Sequence, residues 1–180
     1  MKISIYAMAT ETFMPMLRSL SIILDKGAEH ARARKSDPSA LVKARLAPDM
    51  YTLAQQVQLA CTQACDSVAH LTGGEAPQFK NDEETLDALK ARIAQTLDYL
   101  QSVRASAFDG AEDRAITIPI PENNIEFNMS GLQFLRDWAL PHFYFHLVTA
   151  YDILRHCGVD IGKRDYLSHV GGYIRQRSPA

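Results

Sequence analysis

The chain has 180 residues, 47% hydrophobic and 22% charged, with a formal net charge of -2. A single domain of that size buries a core large enough to need no disulfide or metal staple, and the composition excludes intrinsic disorder, a collagen-like repeat and a disulfide scaffold. The near-neutral balance lacks the basic excess of a nucleic-acid or anionic-membrane binder, so neither is expected as a partner.

The first periodic segment runs from about Thr10 to Arg34, with Phe13, Leu17, Leu20, Leu24 and Ala28 at three- and four-residue steps. That spacing predicts an amphipathic helix, with Pro15 in its first turns, where a missing N–H matters least. Lys35-Ser-Asp-Pro38 breaks it, and a short turn of helix over 38–44 follows. A second helix is expected from Pro48-Asp49 to Thr72, its apolar face made by Met50, Leu53, Val57, Ala60, Ala64, Val68 and Leu71, and Gly73 closing it. A third is expected from an Asn81 cap, with Glu84 three residues on, through Leu86, Leu89, Ile93, Leu97, Leu100 and Val103 to about Ala105.

The period then changes to two. Ile116, Ile118 and Ile120, followed by Ile125, Phe127 and Met129 beyond two asparagines, predict a β-hairpin. Pro119 and Pro121 confine its first strand to an edge, and its isoleucine face is expected against a helix pair or a second subunit. A last helix is expected from a Ser130 cap to about Cys157, kinked at Pro141 and buried on several sides over residues 143–150. Asp165-Tyr-Leu167 reads as a docking turn, and the tail with Gly171, Gly172, Arg175 and Arg177 as a frayed end.

Three cysteines (Cys61, Cys65 and Cys157) cannot all pair within the chain, and the four-residue spacing of the first two suits one helix face better than a disulfide. They read as reduced thiols. No apolar run reaches the ~18 residues of a membrane span. Residues 1–16 hold one lysine and an early Thr10-Glu-Thr12, a poor signal peptide, so the chain reads as cytoplasmic.

The constellation with metal-ligand spacing is His142-Phe-Tyr-Phe-His146. Histidines four apart stack on one helix face, where two imidazoles can reach one divalent ion. Position 143 is phenylalanine, so this is no zincin motif, and no Glu-x-x-His pair supports a di-iron bundle. Asp66 and His70 have the same spacing and read as an exposed carboxylate–imidazole pair. Phosphate-binding glycine loops and a nucleophile elbow are missing, and the run His30-Ala-Arg-Ala-Arg-Lys35 reads as the solvated, cation-favouring end of the first helix. The other reading of His142 and His146 is that of core or interface residues in a bundle that binds a partner or a small apolar ligand.

Ala44-Arg-Leu-Ala-Pro-Asp-Met50, Gln56-Val-Gln58, Leu71-Thr-Gly73, Pro141-His-Phe-Tyr-Phe-His146, Thr149-Ala-Tyr-Asp-Ile-Leu-Arg-His156 and Ile161-Gly-Lys-Arg-Asp-Tyr-Leu167 resemble a domain-of-unknown-function family of the DinB/YfiT-like superfamily, over about residues 4–168. The resemblance implies an all-α fold: one four-helix bundle spanning 1–180, up-down-down-up with a long crossover, with the hairpin inserted between the third and fourth helices. It implies a homodimer and a divalent metal, zinc or nickel, on three histidines, serving a hydrolase or small-thiol transferase. Two of those histidines correspond to His142 and His146. Gln56 stands at the place of the third, where an amide oxygen is a weaker ligand than an imidazole; His70 or Asp66 is the other way to complete the set.

Overall fold

The computed structural model describes residues 4–175. Four long helical stretches share one apolar core: α1 (Ile5–Ala33), α3 (Leu53–Thr72), α4 (Leu86–Ser102) and the last helix, which is α5 (Gly131–Gln133), a π-helical stretch (Phe134–Ala139) and α6 (Leu140–His156) in continuous succession. The short α2 (Ser39–Lys43) packs against α3, and α7 (Lys163–Tyr166) against α1. α3 packs most extensively on α6, and α1 on α4. A two-stranded antiparallel hairpin, β1 (Ala115–Ile120) and β2 (Ile125–Ser130), stands between α4 and α5, paired Ile116 with Met129, Ile118 with Phe127 and Ile120 with Ile125. Its turn passes through Pro121–Asn123 and a left-handed Asn124, as the asparagines predict.

The helix starts differ from expectation because side-chain caps outrank the first apolar residue. α1 begins at Ile5, where the Ser4 hydroxyl accepts from the Ala7 N–H. α3 begins at Leu53 rather than at Pro48-Asp49, since Thr52 and Gln55 form a reciprocal capping box and the Leu53 N–H bonds back to Ala44. α4 begins at Leu86 on a Thr85 cap. Asn81, expected as that cap, instead takes a left-handed conformation and points its amide oxygen at Arg92.

Arg92 is the reason. Its side chain is 1% exposed, and a buried guanidinium needs partners. Nη1 donates to Asn81 at 3.2 Å and to Glu83 at 3.4 Å, Nη2 donates to Thr62 at 2.9 Å, and the Phe79 ring lies 3.4 Å from Cζ. Glu83 accepts from Gln58 Nε2 at 2.8 Å. One cation thus ties the loop 79–83 to α3 and α4.

Where a kink is expected at Pro141, the helix carries a π-helical stretch immediately before the proline. Proline at 141 leaves the Asp137 carbonyl without its helical donor and crowds it; the widened turn, in which the Leu140 N–H reaches back to Leu135, accommodates both. Residues 143–150 are also not buried all round: Phe145 is 57% exposed and Val148 is exposed, while Phe143, His146, Leu147 and Ala150 are buried. The tail forms a short 3₁₀ segment, Ser168–Tyr173; Arg177 and residues 1–3 lie outside the described residues.

Both feet of the hairpin are pinned. Arg114 Nε donates to the Leu71 carbonyl at the end of α3, the Leu132 N–H donates to Glu112, and Ile116 is buried. Gly131 permits this crossing, because a Cβ there would stand 1.8 Å from the Ala111 carbonyl oxygen. Gly131→Ala must move backbone, so a loss of about 3 kcal/mol or more is expected in urea unfolding. Gly110→Ala, at an open turn with nothing within 4 Å, is expected to lose only about 1 kcal/mol, through its positive φ.

Candidate metal-binding site

Gln56 sits one turn into α3 and His146 midway along α6, facing each other across the most extensive helix contact in the fold. The Gln56 side chain is all but fully buried and His146 is buried beside it. Gln56 Nε2 donates to the Tyr51 carbonyl at 3.5 Å, which turns Gln56 Oε1 toward His146 Nδ1 at 2.8 Å. A carbonyl oxygen only accepts, so Nδ1 of His146 carries the proton and Nε2 holds the lone pair. Burial first, and the neighbouring His142 second, lower the His146 pKa to about 4. The ring is therefore neutral at pH 7 and its lone pair is free of competition from a proton.

His142 lies one turn before His146 and is half-buried. Trp138 covers it edge-on, ring centroids 4.5 Å apart, and Phe127 of β2 packs on Trp138 at 5.1 Å. The hairpin thus reaches the histidine pair through one tryptophan. Nδ1 of His142 is buried with no hydrogen-bond partner among the described residues. Such an orphan costs about 1–3 kcal/mol unless something outside the chain satisfies it.

The three residues singled out by sequence therefore gather in one region, with Gln56 and His146 in direct contact. His70 and Asp66 do not join them. Fourteen and ten residues beyond Gln56 on the same helix, they stand about 21 and 15 Å further along its axis. There His70 packs edge-on against Phe134 at 5.4 Å, and Asp66, its pKa raised by burial, borders a cleft with Arg114 beneath the hairpin. Among the described residues no cluster of three His, Cys, Asp or Glu side chains has ligating geometry. The cysteines are free; burial pushes the Cys61 and Cys65 thiols up to about 11 and about 12, which leaves them inert at neutral pH. Sequence reading missed Trp138 and Phe127 as the cover of His142. The place of Phe127 on an alternating strand was visible, but its meeting with Trp138 is a contact between segments distant from the turn that joins them.

A mainly helical chain with an inserted hairpin and a His-x-x-x-His pair facing a second helix is DinB-like in class. The chain belongs to the family described as Domain of unknown function (DUF1993), which it matches over residues 5–167. It is also similar to the crystal structure of a DinB family member protein from Shewanella denitrificans, with a TM-score of 0.84 and 39% identity over 97% of this chain and 95% of that one. No curated protein matches it.

The His146 pKa has a consequence for stability. Unfolded, the ring titrates near its ordinary value of 6.5; folded, it resists protonation down to about 4. The unfolded state binds more protons in that window, so stability is complete above about pH 6.5 and falls as the pH drops toward 4. After discounting for solvent near the site, the loss is about 2 kcal/mol. The slope of unfolding free energy against pH between 6.5 and 4 is expected to flatten in His146→Gln, relative to that variant's own stability at pH 7.

Proposed function

We propose that the protein is a DinB-like metalloenzyme, its four long helices in the up-down-down-up order of that class. His142 and His146 hold a divalent ion of the zinc or nickel kind, and the reaction is a hydrolysis or a small-thiol transfer. The observation that carries this reading is the buried, partnerless Nδ1 of His142 one turn from a histidine whose lone pair is kept unprotonated. The donor set fits such an ion: two imidazole nitrogens of borderline softness, one of them oriented by a hydrogen bond from its other nitrogen to a carbonyl oxygen, as metal-bound histidines usually are. Gln56 then acts chiefly as the positioning partner of His146, with one lone pair of Oε1 left over as a weak third donor.

A bound ion would supply a Lewis acid that polarises a small substrate or activates water or a thiol. The chain's own contribution is to present the His146 ring uncharged, to fix its tautomer through Gln56, and to shield His142 with Trp138 and Phe127. Tyr144 packs on Phe143 toward Tyr166, so it is not assigned a proton-transfer role. Elemental analysis of protein purified without an affinity tag is expected to show a stoichiometric zinc or nickel ion, lost from both His142→Ala and His146→Ala, with Zn²⁺ raising the melting temperature of the stripped wild type alone. Trace metal and no thermal shift would contradict the assignment.

A second observation favours a homodimer, which is compatible with either an enzyme or a bundle that only binds a partner. Phe145 and Val148 on α6 and Phe127 and Ile125 on β2 are exposed. Paired residues of an antiparallel ladder share a face, so Ile118 and Phe127 point the same way, with Ile118 packed on the core and Ile125 exposed at the hairpin tip. Light scattering is expected to give twice the chain mass. Phe145→Asp is expected to halve it, and an unchanged mass in that variant would remove α6 from the interface.

A further inference from the structure

A second polar site lies on the opposite side of α3. Gln56 and Gln58 are two residues apart, about 200° round the helix, so Gln58 faces away from His146 and toward the loop that Arg92 holds. Tyr51, Gln55, Gln58, Leu59, Thr62 and Asn81 line a cleft of about 300 Å³ there, at the small end of the ~300–1,000 Å³ typical of small-molecule sites. Among the described residues no charged side chain lines it. The Arg92 charge behind it is matched by Glu83, and its unpartnered Nε is sealed from any visitor.

The polar groups are held from behind and left open in front. Thr62 Oγ1 accepts from Arg92 Nη2, which leaves its hydroxyl proton free; Asn81 spends its amide oxygen on Nη1, which leaves its NH₂. Gln55 spends its oxygen on the Thr52 cap, which leaves its NH₂. Gln58 gives its NH₂ to Glu83, which leaves Oε1. Gln58 is only 7% exposed, yet its oxygen is not among the sealed, unpartnered atoms of the interior, so the cleft is where that oxygen finds solvent. The inventory is three free donors and one fixed acceptor, beside a 54% exposed Tyr51 ring and the half-buried Leu59.

We propose that this cleft binds a small neutral polyhydroxylated molecule of monosaccharide size, its oxygens taking the amide and hydroxyl donors, one hydroxyl donating to Gln58, and a C–H face resting on Tyr51 and Leu59. The matched Arg92–Glu83 pair is what selects neutrality: an anionic or cationic ligand would lose hydration without gaining a free counter-charge. The site is independent of the histidine pair.

The test is an amide ¹⁵N–¹H titration of the full chain with D-glucose, D-galactose, D-ribose and myo-inositol, run beside glucose 6-phosphate and glucosamine. At least one neutral member is expected to shift the amides of residues 51–62 and 81 saturably at about millimolar concentration, with the charged pair about tenfold weaker. Tyr51→Ala and Asn81→Asp are expected to weaken binding about tenfold at unchanged melting temperature. The first removes only an exposed ring; the second keeps an oxygen for Arg92 and a residue tolerant of the left-handed backbone, and deletes the NH₂ donor. No saturable shift from any neutral member, shifts centred elsewhere, or tighter binding of a charged analogue would overturn the proposal.

Discussion

The buried amide–imidazole contact between Gln56 and His146 is the constraint around which the functional half of this molecule is organised. Two polar side chains sit inside the most extensive helix interface of the fold. Each is tolerable there only because the other satisfies it, since an unpaired buried polar group costs more than a hydrogen bond returns. That mutual dependence sets the register of α3 against α6. It fixes which nitrogen of His146 carries the proton, while burial and the neighbouring His142 keep the ring neutral well below physiological pH. His142, one turn away, has no such partner among the described residues. The contrast between a satisfied and an unsatisfied imidazole on one helix face is what makes the pair more than core packing.

The rest of the fold supplies the walls. Arg92 plays the same part on the far side of α3 that Gln56 plays on the near side: a buried polar group whose partners come from segments that would otherwise have little to hold them. Removing either partner of such a network is strongly destabilising, although the network itself adds little net stability over an apolar core. Its value lies in where it holds the loop 79–83. The hairpin is held by different means, a close backbone crossing at Gly131 and one arginine on the end of α3. Its aromatic residue then meets Trp138, and Trp138 meets His142.

Much of this was legible in the amino-acid sequence because hydrophobic period is a local property. The apolar faces of α1, α3 and α4, the switch to alternation at Ile116 and the Ser130 cap all follow from residues within a few turns of each other. The three site residues were also legible, two from their spacing and Gln56 through the family resemblance. Helix starts were less so. A cap is decided by competition among several candidates, and Asn81 lost to Thr85 because a buried arginine eleven residues on claimed its side chain. The π-helical turn before Pro141 was hidden because proline announces a disturbance of the helix without specifying whether it bends or widens. The exposed Phe145 and Val148 look the same in sequence as buried residues.

The account turns on His146 being neutral, protonated at Nδ1 and open at Nε2. Long-range ¹H–¹⁵N NMR of the side-chain nitrogens, with the ring assigned through His146→Gln, reads all three at once. The account predicts a neutral Nδ1–H tautomer that persists at pH 5.5, with the Nε2 resonance moving when Zn²⁺ is added to stripped protein. A ring that titrates near pH 6.5, or a proton on Nε2 with no response to zinc, would contradict it.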